Sequence, residues 1–454
     1  MRFSDFSQLL SHYASQTPDS PALFREGKAG REAVSYARLE ERVASRAAEY
    51  RLTGKTCLGV FTDGSADCVI TVFAALRAGL QVALLDDALS DAAAGDLLRY
   101  TDADLIWSAD GDRERELSAS LTGGVRNGRG KVLFFTSGTT ERAKAVVLTE
   151  ASLCSSAWNG SQMLPLRPDD TLLCMLPLCH VFGFVCGLLW GLSCGSAVAL
   201  GRGIRHYGDD CAYFRPTALS AVPALLSFLL QHDLLNQELR LLLIGAGSCP
   251  PALIKQARSR ELDVSFGYGL TETSSGVAIS TGGDPYAMDI CPDDTVTLAE
   301  DGEILVRSPT CMMQGYYKKE ADTRAVLLGG VLHTGDLGRF DEDGRLHITG
   351  RKKDILVLPD GTKIFLPELE GRLQAVLGAA ELAVFLEEDG PSLLLQGDAA
   401  REAFVWEQLR PLMAELPRGQ QIRKLYFTHR SLPRTATGKI KRWEISNLKE
   451  EEAL

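Results

Sequence analysis

Apolar and polar residues fall along this chain in blocks that predict strands and helices in turn. Residues 57–61 and 81–85 are short runs with almost no polar member, and residues 68–77 between them read as an apolar helix. Runs without a polar face belong to strands covered on both sides, and strand–helix–strand alternation implies a parallel sheet with crossovers. Residues 39–48 mix charge with apolar positions as a surface helix does. Residues 132–135 form another buried strand, followed by a hydroxyl-rich turn and a second β-like run at 145–148. Residues 172–200 carry no Asp, Glu, Lys or Arg and are long enough to span a bilayer. Pro177, His180 and repeated Gly, Ser and Cys interrupt that block, and no Lys or Arg anchors it beside Asp169 and Asp170, so a buried strand–helix–strand is expected instead. From Leu366 onward the order reads helix, strand, strand, helix, strand, a compact α+β unit.

Composition narrows the class. A chain of 454 residues with 45% hydrophobic and 24% charged residues is that of an ordinary globular protein with two or three domains. The net charge of −11 argues against a nucleic-acid partner or an anionic membrane surface. The first residues lack a basic segment followed by an apolar core, so no secretory signal is expected. The 11 cysteines are odd in number and scattered, which points to reduced thiols in a cytoplasm. Cys174, Cys179, His180, Cys186 and Cys194 crowd together, but their spacing fits no zinc ribbon or finger.

Several stretches carry candidate chemistry. Thr136-Ser137-Gly138-Thr139-Thr140 offers hydroxyls and accessible backbone N–H groups for an anion, and Lys144 adds a point charge. It is no Walker loop, which needs Gly-Lys-Ser/Thr and then a helix. Gly245-Ala246-Gly247 ends a strand with residues small enough for a ring or phosphate to approach backbone. Tyr268-Gly269-Leu270-Thr271-Glu272 presents a hydroxyl and a carboxylate together, the donors that magnesium and a phosphate require. Asp336 follows Gly335 in what reads as a tight turn, placed to accept ribose hydroxyls. Taken singly these admit plainer readings: a Ser/Thr turn, a helix start, an Asp turn, and for His180 a core histidine.

Together they resemble the adenylate-forming (AMP-binding) superfamily of acyl-CoA synthetases and stand-alone adenylation enzymes. The loop is similar to that family's Thr-Ser-Gly-Thr-Thr-Gly-x-Pro-Lys-Gly, with Glu141, Ala143 and Ala145 replacing Gly, Pro and Gly. The match to Tyr-Gly-x-Thr-Glu is complete, Asp336 stands in a Thr-Gly-Asp, and Pro433-Arg434-Thr435-x-x-Gly438-Lys439 is close to the C-terminal signature. The resemblance implies an α/β fold: a large N-terminal domain of layered mixed sheets flanked by helices over residues 1–352, and a small mobile α+β domain over 353–454. It implies that ATP and Mg2+ are bound, the metal by Glu272, and that Lys439, Glu272, Thr271 and His180 serve catalysis and substrate gating. Thr136 to Thr140, Lys144, Gly245 to Gly247, Tyr268, Gly269, Asp336 and Arg351 would contact nucleotide, and Lys353 would be the hinge. The activity implied is conversion of a fatty or aryl acid to acyl-AMP and transfer to coenzyme A. The alternatives are transfer to the phosphopantetheine of an acyl carrier protein, or an inactive nucleotide sensor. Amino-acid activation fits less well, because no Asp follows His180 to hold an α-amino group. A homodimer is compatible with these readings.

Overall fold

The computed structural model describes residues 1–27, 30–121, 130–136, 144–247, 249–357, 363–378, 381–387, 390–433, 440 and 444–445. Among them the chain builds two large sheets and three small ones. In the nine-stranded sheet the middle is made by Asp263–Leu270, Leu241–Ile244, Ala218–Ala221, Thr171–Cys174 and Ala197–Leu200, all paired in parallel. The last four of these are buried along their whole length, as their unbroken apolar runs require. The six-stranded sheet runs Gly315–Tyr316, Lys144–Thr149, Lys131–Thr136, Gln81–Asp86, Cys57–Thr62, Leu105–Trp107.

Helix Ala66–Arg77 is buried over nine consecutive residues from Cys68 to Leu76, so it has no solvent face. It packs on Cys57–Thr62 and Gln81–Asp86, and Tyr36–Thr53 packs both on it and on the hairpin Pro21–Gly27/Gly30–Ser35 of the larger sheet. That layering is the expected one. The hairpin itself is antiparallel and edges a sheet whose centre is parallel, which the apolar pattern did not reveal. Tyr36–Thr53 also extends beyond 39–48 at both ends, because the Ser35 hydroxyl accepts the N–H of Arg38 and Gly54 (φ 66°) stops the helix in the left-handed region.

The apolar block at 172–200 folds as strand, interrupted helix and strand. No helix among the described residues is long and apolar enough to cross a membrane. After residue 363 come Leu366–Leu377, Leu382–Glu387, Gly390–Gln396, Glu402–Glu415 and Lys424–Thr428, in the predicted order. They enclose their own core, with Leu369, Leu373, Val384, Leu393 and Leu409 buried together and, among the described residues, none from the earlier chain in that cluster.

Candidate active site

The strand Asp263–Leu270 leaves the parallel sheet and folds back as Ser275–Ile279. Gly269 makes this reversal possible, since a Cβ there would sit 1.6 Å from the Ser275 carbonyl oxygen. The hairpin tip is a single tight turn, Thr271–Thr273, in which the buried Thr273 hydroxyl accepts the N–H of Leu270 at 3.1 Å. Thr271 and Glu272 are thereby presented half-buried at the tip, and the Glu272 carbonyl accepts the N–H of Met313 at 2.8 Å.

Two polar networks meet on this hairpin. At its base, the Tyr268 hydroxyl donates to Asp336 Oδ2 at 2.9 Å, and Arg351 donates to Asp336 Oδ1. Asp336 is 4% exposed and pairs with Arg351 across adjacent strands, Val331–Phe340 and Leu346–Arg351. It therefore lies within a long strand and not on a tight turn, a correction to the sequence reading. Gly335 (φ 69°) bends that strand locally, and its N–H goes to the buried Glu303 at 2.8 Å. Burial pushes the Tyr268 hydroxyl well above its usual pKa, and the Asp336 carboxylate adds to the effect. Burial alone would lower the Arg351 pKa, but Asp336 and Tyr268 beside it raise it, so the guanidinium stays charged.

At the tip, the Tyr316 hydroxyl donates to Glu272 Oε1 at 2.7 Å. Lys144 lies 4.8 Å from the centre of the Tyr316 ring and 3.4 Å from Asp322. Strand pairing brings these together, because Tyr316 sits opposite Val146 on the strand that Lys144 begins. Lys144 is in turn paired with Thr136, so the two strands expected on either side of residues 137–143 are found, paired antiparallel. Ser137, Gly138, Thr139, Thr140, Glu141, Ala143, Arg434 and Lys439 lie outside the described residues.

Gly245 and Gly247 flank Ala246 (φ 62°) where Leu241–Ile244 ends. A Cβ on Gly245 would lie 2.8 Å from the Phe182 ring, so Phe182 rests directly on this turn. His180, two residues earlier, begins the helix Val181–Phe184, and the ligand-type atoms of Asp86, Cys179 and His180 lie within 4.8 Å of one another. Burial lowers the His180 pKa, with Asp86 opposing, which favours the neutral imidazole. Lys353 sits in the single turn Lys352–Asp354 that follows Arg351. Lys352 Nζ reaches Glu303 at 2.8 Å, so Glu303 ties the start of this turn to the Gly335 backbone.

Tyr316, Asp322 and Glu303 were not singled out from sequence. The partner of Tyr316, Glu272, is forty-four positions away, a distance no local pattern spans. The oxygen donors of Thr271 and Glu272 suit magnesium, which takes one or two carboxylates with phosphate and water oxygens.

The Asp336 network and the Glu272 network thus share one hairpin. A model of the family described as AMP-binding enzyme matches residues 128–317. A 2-succinylbenzoate--CoA ligase of Bacillus cytotoxicus is 30% identical over 344 residues, covering 70% of each chain. Another, of Bacillus licheniformis, is 27% identical over 97% of this chain and 99% of its own. Among solved structures, O-succinylbenzoate coenzyme A synthetase (MenE) of Bacillus subtilis with AMP superposes with a TM-score of 0.81 at 24% identity, covering 96% of this chain and 97% of that one. ATP-bound MatB of Rhodopseudomonas palustris gives 0.82 at 23%, covering 99% of both chains. The chain belongs to the AMP-binding enzyme family, and it is an AMP-forming ligase of the acyl-CoA synthetase class, with a large N-terminal part and a small C-terminal one.

Proposed function

We propose that the enzyme joins a carboxylic acid to ATP, giving acyl-AMP and pyrophosphate, and then passes the acyl group to the thiol of coenzyme A. An acid carboxylate oxygen attacks the α-phosphorus as the bond to pyrophosphate breaks; the thiolate then attacks the acyl carbon and AMP leaves. The observation that carries the residue roles is that the Tyr268–Asp336–Arg351 and Glu272–Tyr316–Lys144 networks share one hairpin. Each carboxylate oxygen of Asp336 has a second lone pair, so the group can hold ribose hydroxyls while Tyr268 and Arg351 fix its orientation. Glu272 and Thr271 would hold a magnesium ion, which when bound neutralises phosphate charge. Lys144 and the loop from Thr136 to Thr140 would steady the departing pyrophosphate. The neutral His180 would border the acyl group, next to the turn of Gly245, Ala246 and Gly247.

Lys439 would supply an ammonium between the acyl carboxylate and the α-phosphate, and Lys353 would be the hinge about which residues 353–454 turn. The relatives that share this family are named for coenzyme A, which supports that thiol as acceptor. The 11 free cysteines, most of them buried, fit a reducing, cytoplasmic setting. Acid-dependent exchange of labelled pyrophosphate into ATP tests the first half-reaction, and thioester formation on coenzyme A the second. Asp336→Ala should raise the KM for ATP by more than about tenfold, as expected for loss of a charge-assisted hydrogen bond. Exchange that proceeds equally well without any acid, or an Asp336→Ala enzyme with unchanged KM for ATP, would reject the assignment.

A further inference from the structure

We propose that Asp86, Cys179 and His180 form a binding site for a zinc-class divalent cation, and that the bound ion slows the enzyme by holding His180 away from the acyl group. The site stands apart from the ligase reading, whereas its effect on activity rests on the place given to His180 there.

The three residues come from two parts of the chain. Asp86 ends the strand Gln81–Asp86, and Cys179 and His180 occupy the turn that leads into Val181–Phe184. Their ligand oxygen, sulfur and ring nitrogen lie within 4.8 Å of one another, the one such grouping of His, Cys, Asp or Glu among the described residues. Cys174, Cys186 and Cys194, which crowd the same part of the sequence, stand outside it. The third ligand lies 93 positions before Cys179, where no spacing rule for zinc fingers looks.

Charge and setting favour a cation. Asp86 is half-buried and, among the described residues, pairs with no Lys or Arg, whereas its neighbour Asp87 pairs with Arg113 at 3.2 Å. A carboxylate drawn partly out of water gains from a counter-charge. One Asp86 oxygen accepts the N–H of Ala88 at 2.9 Å, which fixes the group and uses one of its roughly four lone pairs. Cys179 is buried and His180 half-buried. Their turn is held by backbone: the His180 N–H donates to the Pro177 carbonyl at 3.2 Å, and a Cβ on Gly183 would lie 2.3 Å from that same oxygen. The helix start therefore packs directly on the turn that carries both ligands.

One sulfur, one imidazole and one carboxylate are the donor set of zinc, which bonds to them at about 2.0–2.3 Å, so the three atoms need close by only about an ångström. Magnesium takes oxygen donors in a rigid octahedron, so the ion proposed at Glu272 does not compete. As the sulfur–metal bond forms, the Cys179 thiol proton leaves to solvent. The thiolate and Asp86 then carry two negative charges, which a divalent ion balances. Three protein ligands leave a fourth position on the ion for water. With a ring nitrogen on the metal, His180 is fixed against Asp86 and Cys179 and no longer follows the acyl group.

Titration of the metal-free full chain with Co2+, a spectroscopic stand-in for zinc, tests the site without any assay of activity. The expected result is a thiolate-to-cobalt charge-transfer band that saturates at one ion per chain, is lost on adding Zn2+ and survives excess Mg2+. Cys179→Ala should abolish the band. Asp86→Asn, which keeps the shape of the side chain, should weaken Co2+ binding by at least the roughly 10- to 100-fold that loss of an outer-shell partner costs. In saturating Mg2+, Zn2+ should slow pyrophosphate exchange by about tenfold or more, within what a misplaced substrate contact costs, and Asp86→Asn should need correspondingly more Zn2+. A missing band, or one that persists in Cys179→Ala, overturns the site. A band with exchange unaffected by Zn2+ overturns the inhibitory role. Metal-free enzyme that exchanges with no acid rejects the ligase reading and the inhibitory role together, while the cobalt band still decides the site.

Discussion

Tyr316 is the side chain on which the hairpin tip depends most directly. Its ring lies beneath the Lys144 ammonium and its hydroxyl fixes one Glu272 oxygen. A hydrogen bond to a charged group contributes about 1.5–3 kcal/mol, so Tyr316→Phe should cost roughly 10- to 100-fold in kcat/KM. The loss should appear as a raised Mg2+ requirement, because an unanchored carboxylate holds a cation less well; titration of activity with Mg2+ checks it, and an unchanged Mg2+ midpoint would count against the role. His180 gives a prediction in pH. Burial lowers its folded-state pKa below the ordinary imidazole value, with Asp86 opposing, so the unfolded chain binds this proton more readily. The stability that follows is complete above about pH 6.5 and is lost as pH falls toward the folded-state value. Thermal melts of wild type and His180→Gln from pH 7.5 to 5 should therefore converge at the acid end by more than the remaining groups account for. A pH-independent gap would mean that His180 titrates normally.

At the scale of elements, the hairpin Asp263–Leu270/Ser275–Ile279 tolerates no side chain at Gly269, near the end of its first strand. Gly269→Ala places a carbon 1.6 Å from a backbone carbonyl oxygen, so the strands must part. A cost of several kcal/mol is expected for such a backbone clash, seen as a lower melting temperature together with loss of exchange activity. Much of this level was legible in advance, since buried strands and the last five elements follow from runs and periods within ten residues of one another. The antiparallel hairpin Pro21–Ser35 was not, because it edges a sheet whose other strands lie far along the chain. Asp336 was expected on a tight turn for a related reason: Thr-Gly-Asp has turn composition, yet Glu303 captures the Gly335 N–H and two neighbouring strands pair along it. The Tyr268–Asp336 and Tyr316–Glu272 bonds join residues 68 and 44 positions apart, so motifs could name the carboxylates but not what holds them.

At the scale of the whole molecule, the proposed chemistry needs two charge arrangements at different times. Adenylation brings an anionic carboxylate to a polyphosphate, and fixed cations must offset their repulsion as charge builds on the α-phosphate. Thioester formation has no polyphosphate left, and needs the thiol to reach the acyl carbon. If residues 353–454 turn about Lys353 between these steps, an ammonium carried near the chain's end serves the first and has moved away for the second. Lys439→Ala should then slow pyrophosphate exchange by about 10²–10³, the typical loss when one fixed donor is removed. Thioester formation from supplied acyl-adenylate should stay within about threefold of wild type, since that difference is only some 0.7 kcal/mol in barrier. The comparison is made in one preparation by following exchange and, separately, consumption of synthetic acyl-adenylate with coenzyme A. Equal loss in both assays would place Lys439 in one permanent site and remove the reason for a hinge at Lys353.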